Sequence, residues 1–170
     1  MNGSTLADAF GHHAWATVVL LDACVGLTGD QLATEVPGTF GSVIGTLRHT
    51  VAADANYLAV LAPGEVTSID EADELTIADL RATMVTCGEA WVRLCERDLD
   101  PEEMIVRHRD DGTQSGAPRS IRLAQALHHG TDHRSQVCTA LTNLGLEPPE
   151  IDVWAYAWKD GRVWELPQSG

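Results

Sequence analysis

Basic residues are scarce in this sequence. Only 11 lysines and arginines stand against 25 aspartates and glutamates, which gives a formal net charge of -14 at pH 7. No cluster of basic side chains interrupts this acidic excess. Because such a charge repels phosphate backbones and anionic lipid headgroups, we expect no nucleic-acid or membrane partner, and a small molecule is the expected substrate.

Cysteine motifs and long apolar runs are also missing. The longest apolar run covers only residues 14–21 and meets Asp22, and the amino terminus has no basic stretch. We therefore expect neither a membrane span nor a signal peptide. The cysteines are widely spaced and form no Cys-x-x-Cys pair, which favours a reducing, cytoplasmic location. They are Cys24, Cys87, Cys95 and Cys138.

Helical periodicity dominates what the sequence does contain. A length of 170 residues predicts one domain over residues 1–170. Four segments repeat apolar residues at helical spacing, and turn signals such as Gly26, Gly29 and Pro63 separate them. These segments are residues 4–27, 42–61, 76–97 and 119–145, with candidate caps at Ser4 or Thr5, Ser42, Thr76 and Ser120. The pattern predicts an all-α fold, a four-helix bundle.

Two shorter stretches depart from the helical pattern. Residues 104–109 alternate in part and lead into Asp110-Asp111-Gly112-Thr113, a sequence typical of hairpin turns. We therefore expect a small β-hairpin between the third and fourth helices. The segment 146–158 is too aromatic for a loose tail, and we expect it to pack on the bundle.

Three histidines form a candidate metal site. His129 and His133 are four positions apart, so on a helix both imidazoles lie on one face and can bind one ion. His49 is the best third ligand, because small residues on its helical face leave room around the ring; these are Gly45, Ala52, Ala53 and Asn56. Three imidazoles without a fourth protein ligand leave coordination positions open, as in catalytic sites.

The other histidines have simpler interpretations. His12 and His13 compete as ligands, and from the first helix they would line the mouth of a pocket. His128 points about 100° away from His129 on the helix and flanks the site. His108 lies in the predicted hairpin and is expected to be solvated.

Several polar residues could orient the ligands, since a metal-bound imidazole usually donates its other N–H to an oxygen acceptor. The candidates are Asp132, Gln136, Gln125 and Asp54. Asp54 is five positions from His49 and is interpreted as a surface carboxylate, and Arg134 as part of an ordinary interhelical salt bridge. We interpret Trp15, Trp91 and Trp154 as core or interface aromatics.

The order of these motifs resembles the DinB superfamily of four-helix-bundle metalloproteins. The resemblance covers most of the chain and rests on Thr46-Leu47-Arg48-His49, on residues 129–136, on Ala14-Trp15-Ala16 and on residues 145–149 with the aromatic tail. It implies a bundle with a long crossover connection and one divalent ion, zinc or nickel, held by the residues that match the family ligands: His49, His129 and His133. The sequence departs from the family in having Asp132 where histidine is frequent and Ser135 where glycine is frequent.

The resemblance also implies a chemistry, because characterised family members are transferases and isomerases that use a low-molecular-weight thiol such as bacillithiol or mycothiol. We therefore expect a metal-dependent thiol transferase or isomerase, with no catalytic acid or base identified. A metal-dependent hydrolase and a non-catalytic metal- or small-molecule-binding stress protein are the alternatives. The apolar first helix and the aromatic tail predict a homodimer, as is common in the family.

Overall fold

Four long helices, two short helices and one hairpin make up the computed structural model, which describes residues 4–109 and 111–166. The helices are α1 (Thr5–Cys24), α2 (Gly29–Leu32), α3 (Val43–Leu61), α4 (Ile77–Cys95), α5 (Arg119–Asn143) and α6 (Val153–Lys159). The strands are β1 (Met104–His108) and β2 (Gln114–Pro118). Helices α1, α3, α4 and α5 pack into the bundle, so the predicted all-α bundle with a small hairpin is confirmed.

Side-chain caps start most of the helices where the sequence predicts them. Ser4, Ser42 and Thr76 accept hydrogen bonds from the first turns of α1, α3 and α4, and Asp79 completes a capping box with Thr76. The predicted end of the first helix is late, because α1 stops at Cys24 and Gly29 instead opens the unpredicted helix α2.

The predicted cap at Ser120 is wrong. Helix α5 begins at Arg119, directly after strand β2, and has no side-chain cap. The backbone N–H groups of Arg119 and Ser120 donate instead to the carbonyls of Glu103 and Pro101, each at 2.9 Å. The chain that leads into the hairpin therefore satisfies the first donors of α5, and a hydroxyl is not needed there.

Two of the bundle helices are parallel neighbours. Arg48, near the start of α3, donates to the carbonyl of Leu75, just before α4, while Glu65, just after α3, pairs with Arg93 and Arg97 at the end of α4. Both helices therefore run in the same direction. Helix α1 runs opposite to α4, because Asp22 near the end of α1 pairs with Arg81 near the start of α4.

A long crossover, residues 62–76, is what parallel α3 and α4 require. This crossover runs back along α3. The side-chain amide of Asn56 makes two hydrogen bonds with the backbone of Ile69, and the carbonyl of Leu75 accepts a hydrogen bond from Arg48. This crossover confirms the connection that the family resemblance implies. Its course places Glu71 beside His49.

The apolar core fills the bundle between the four long helices. Trp91 on α4 is fully buried and stacks on Phe10 of α1 with ring centroids 4.2 Å apart, as expected for a core aromatic. The aromatic tail packs on α1 through Tyr156, which lies 5.5 Å from Trp15 between centroids. Trp154 is not a core residue, since 69% of it is exposed.

The hairpin sits over the start of α5. Strands β1 and β2 pair antiparallel in a register that joins Met104 to Pro118 and His108 to Gln114. Gly112 has a φ of 81°, a left-handed conformation that favours glycine in the turn. Within residues 4–109 and 111–166, no helix combines the length and hydropathy that a membrane crossing requires.

Candidate metal centre

The structure brings His49, His129 and His133 together between α3 and α5. One potential ligand nitrogen from each ring lies within 4.8 Å of the others. Nε2 of His49 and Nε2 of His129 are 2.9 Å apart, and the His129 and His133 rings meet with centroids 4.4 Å apart. The four-residue spacing on α5 thus produces the shared face that the sequence predicts, and α3 supplies the third ring.

Burial keeps the imidazoles of His129 and His133 neutral. It is the largest cause of the lowered pKa of His129, which falls to about 4, and the neighbouring His133 and His49 lower that pKa further. Burial also lowers the pKa of His133 below its ordinary value. Both rings are therefore unprotonated near neutral pH, which is the form that binds a metal.

Gln136 orients His133, as one of the predicted orienting residues. Its Oε1 accepts from Nδ1 of His133 at 3.0 Å and from the backbone N–H of Phe40 at 3.0 Å. The hydrogen bond at Nδ1 leaves Nε2 of His133 as the nitrogen available for an ion. Gln125 and Asp132 are exposed and make no hydrogen bond to the cluster.

A carboxylate from the crossover lies beside the third ring. Glu71 Oε2 is 2.9 Å from Nδ1 of His49, but it lies outside the direction of a hydrogen bond, and this buried Nδ1 has no hydrogen-bond partner in the described part of the chain. Buried nitrogens without partners are costly unless something satisfies them. The three imidazoles, with nitrogens this close together and one of them without a hydrogen-bond partner, fit a divalent ion.

Phe40 covers one side of the cluster. Its ring stacks on His49 with centroids 4.1 Å apart and an interplanar angle of 19°, and its edge meets His133 at 5.2 Å. Phe40 could not be identified from helical periodicity, because it lies in an irregular loop between α2 and α3. The only signal was its position in a turn-rich segment before the helix of His49.

A cavity of about 190 Å³ opens on the other side of the cluster. His49, His129 and Glu71 form part of its wall, and Arg107 of β1 and Arg122 of α5 form another part. The cavity continues into a wider cleft of about 920 Å³ between the hairpin and the crossover, with Arg107 and Glu71 lining both spaces. The cluster is therefore accessible to a small molecule.

Sequence comparison agrees with this geometry. The model of the DinB family matches residues 1–166 of the chain. The chain belongs to the DinB family. Comparison with curated proteins finds no match. Together with the family, the histidine cluster supports a metal-binding helical protein, and these three side chains are the group that could hold the ion.

A second polar cluster lies in the bundle interior of this DinB protein, and it corrects three interpretations. Asp54 is 2% exposed and is not a surface carboxylate: its two carboxylate oxygens each lie 2.9 Å from Nε2 of His13, and Oδ1 accepts from Nε1 of Trp91 at 3.2 Å. Five residues turn the chain about 140° around α3, so Asp54 faces α1 and α4 while His49 faces α5.

His13 and Arg134 complete this cluster. His13 is 1% exposed and lines no pocket mouth, because it lies inside the bundle against α5. Within the described ranges Arg134 forms no direct salt bridge. One guanidinium nitrogen donates to Nδ1 of His13 at 3.0 Å and to Thr17 Oγ1 at 3.1 Å, and the other donates to Thr131 Oγ1. We call His13, Asp54 and Arg134 the interior triad.

The remaining DinB histidines lie away from both clusters. His108 is exposed, as predicted, and His128, predicted to flank the site, is exposed as well. Nε2 of His12 lies 2.8 Å from the carbonyl oxygen of Ile151, so this ring joins α1 to the chain before α6. None of these three rings belongs to the three-histidine group.

Proposed function

We propose that this protein is an enzyme that uses a divalent ion held by His49, His129 and His133 to activate a low-molecular-weight thiol for transfer or isomerisation. The observation that carries the proposal is that two of the clustered histidines, His49 and His129, lie in the wall of a cavity. A structural ion is enclosed by its protein ligands, whereas a catalytic ion keeps positions open toward the substrate. An ion here would supply a positive centre that lowers the pKa of a bound thiol.

The residues around the cavity have separate parts in this proposal. Gln136 holds the His133 ring in one tautomer, and Phe40 keeps water from one face of His49. Arg107 and Arg122 supply positive charge in a protein of net charge -14, where they can bind an anionic part of the substrate. Zinc and nickel are the metals we propose, since three imidazoles suit both.

Metal-dependent hydrolysis is the alternative that one observation favours. Glu71 places a carboxylate in the same cavity as His49 and His129, where it can accept a proton from a water molecule. An ionisable group beside the histidines also favours an enzyme over a non-catalytic metal- or small-molecule-binding stress protein.

Cobalt substitution tests the thiol function. We expect low-molecular-weight thiols to change the visible spectrum of the cobalt-loaded protein near neutral pH, because sulfur in the coordination sphere gives ligand-to-metal charge transfer and a metal-bound thiol ionises well below about 8.5. Bacillithiol, mycothiol, glutathione and coenzyme A form the test set. An unchanged spectrum with all four would remove the thiol function in favour of hydrolysis or sequestration.

We also propose that the protein acts as a homodimer in the cytoplasm. All four cysteines are free, which suits a reducing compartment. Exposed apolar side chains near the carboxyl end supply surface for a second copy, and they include Val153, Trp154, Trp158, Trp164 and Leu166. Sedimentation that shows a monomer at micromolar concentration would remove the dimer.

A further inference from the structure

We propose that Arg107 and Arg122 bind a carboxylate, so that the small molecule taken up beside the three histidines is a thiol that carries a carboxylate group. This inference rests on the proposed function and narrows its substrate class. Both guanidinium groups line the cavity that also exposes His49 and His129. A guanidinium presents paired N–H donors that match the two oxygens of a carboxylate.

Arg107 differs from the other arginines in having no side-chain partner among residues 4–109 and 111–166. In the described part of the chain its guanidinium makes neither a hydrogen bond nor an ion pair, although its backbone is fixed by the pairing of β1 with Ser115 on β2. It lines both the small cavity and the wider cleft, so it lies where the two spaces join. A free guanidinium at this junction can take a ligand without first breaking an internal bond.

Arg122 is held in place by the hairpin. Its Nε and Nη2 donate to the carbonyl of Ile105 at 3.3 and 3.0 Å, and Nη2 also donates to the carbonyl of Ser115 at 3.0 Å. These bonds fix the plane of the guanidinium and leave Nη1 without a partner among the described residues. The charge of Arg122 is thus pre-positioned at the cavity wall.

The opposite wall limits how much negative charge the ligand can carry. Asp70 and Glu71 of the crossover face the hairpin across the wider cleft. Their carboxylates repel a dianion such as phosphate more strongly than a single carboxylate. Two arginines on one wall and two carboxylates on the other therefore favour a ligand with a carboxylate over one with a phosphate group. The same carboxylates can also bind an ammonium group elsewhere on the ligand.

Arg109 offers a matched control on the same hairpin. It lines only the wider cleft, and its guanidinium is engaged by Thr113 Oγ1 at 3.2 Å and Ser115 Oγ at 3.3 Å. Arg109→Gln removes the same charge from the same hairpin as Arg107→Gln does. A general electrostatic effect would appear in both variants, whereas direct binding would appear only in Arg107→Gln.

The experiment compares 4-mercaptobutanoate with its methyl ester on the cobalt-loaded protein, with the spectrum as the measure of binding. We expect the wild type to bind the acid about tenfold more tightly than the ester, since a hydrogen bond to a charged group contributes at least that factor. Arg107→Gln should reduce this preference to the part that Arg122 alone retains, and it should leave the affinity for the ester unchanged. Arg109→Gln should change either affinity less than about twofold.

Each other outcome has a definite meaning. Equal affinities in the wild type would overturn the proposal, as would a preference that Arg107→Gln leaves undiminished, because the carboxylate would then not contact Arg107. Loss of ester binding in Arg107→Gln would assign Arg107 a structural role and would overturn it too. Calorimetry of the same two compounds separates this proposal from the thiol function: heat for the acid alone without a spectral change would retain the carboxylate site and remove the thiol function. No heat for either compound would remove both.

Discussion

Two clusters of histidine in one bundle differ in what their ring nitrogens contact. In the cluster of His49, His129 and His133, two rings meet nitrogen to nitrogen, and the group opens on a cavity. In the interior triad, both nitrogens of His13 have protein partners and water has no access. Histidine alone therefore marks neither site, and the unpartnered Nδ1 of His49 and the adjoining cavity distinguish the candidate metal site from the interior triad.

The partners of His13 also fix its protonation. A guanidinium can only donate, so Nδ1 of His13 accepts from Arg134 and Nε2–H donates to Asp54. The ring therefore bridges the guanidinium of Arg134 and the carboxylate of Asp54. It has no free lone pair, which is why His13 cannot compete for the ion as the sequence suggested.

The largest effect is expected from breaking the triad. Asp54→Asn leaves the buried charge of Arg134 without its acidic counterpart and should cost about 3–5 kcal/mol of the free energy of unfolding. Asp22→Asn is the control, because solvent screens its exposed ion pair with Arg81, and the loss of this pair should change stability little. Urea denaturation of the metal-free proteins measures both. Similar losses in the two variants would contradict the structural role of the triad.

In the cluster of His49, His129 and His133, a substitution is expected to weaken metal binding and to leave the fold intact. His49→Ala should weaken metal binding about a hundredfold or more, since loss of a residue that only orients a ligand already costs 10- to 100-fold. The far-UV helical signal should persist in this variant and after chelation, because the apolar core holds the bundle. Equilibrium dialysis and circular dichroism provide the two measurements. Unfolding upon chelation would make this site structural as well.

Gly130 lies between the two clusters, and its substitution is expected to have a smaller effect on stability. It lies in α5 between His129 and His133, and a Cβ there would come within 2.3 Å of Cε1 of His13. Gly130→Ala should therefore cost about 1–3 kcal/mol of unfolding free energy through overpacking. Gly29→Ala, which has open space around it, should leave the protein equally or slightly more stable.

A double-mutant cycle sharpens this comparison. In a His13→Ala background the clash at position 130 disappears, so Gly130→Ala should cost less there than in the wild type. Thermal unfolding of the four proteins gives the interaction energy. If Gly130→Ala lost the same unfolding free energy in both backgrounds, the His13 ring would not be the reason for glycine at position 130.

The smallest effect concerns pH. Burial holds the pKa of His129 at about 4 in the folded protein, below its ordinary 6.5. Because the unfolded chain binds the proton first, the metal-free protein should lose stability as the pH falls from about 6.5 toward 4. His129→Ala should flatten this dependence, and His108→Ala should not. Urea midpoints of the three proteins at pH 7 and pH 5 measure this dependence. If His129→Ala lost as much stability between these pH values as the wild type does, His129 would not be the group responsible.

The sequence predicts those parts of the molecule that depend on local spacing. Periodicity and capping residues yield the four long helices, and the spacing of His129 and His133 yields half of the candidate site. Gln136 could be predicted because it lies three residues from His133 on the same helix. For these features, neighbours in sequence are also neighbours in space.

Features that depend on how the elements dock could not be predicted in this way. Glu71 and Arg107 reach the histidines only because the crossover returns along α3 and the hairpin sits over α5. The interpretation of Asp54 as a surface carboxylate is wrong for the same reason. The sequence of α3 does not indicate that the face about 140° from His49 packs against α1 and α4. These positions depend on long-range contacts, which no local pattern encodes.

The course of the chain has a consequence for folding kinetics. Eighty residues separate His49 from His129 along the sequence, so the three rings meet only after the crossover and the hairpin have closed and α5 has docked on α3. Ligands that assemble this late are absent from an early transition state. A bound ion should therefore slow unfolding and leave the folding rate almost unchanged, which would make metal retention a matter of kinetic lifetime.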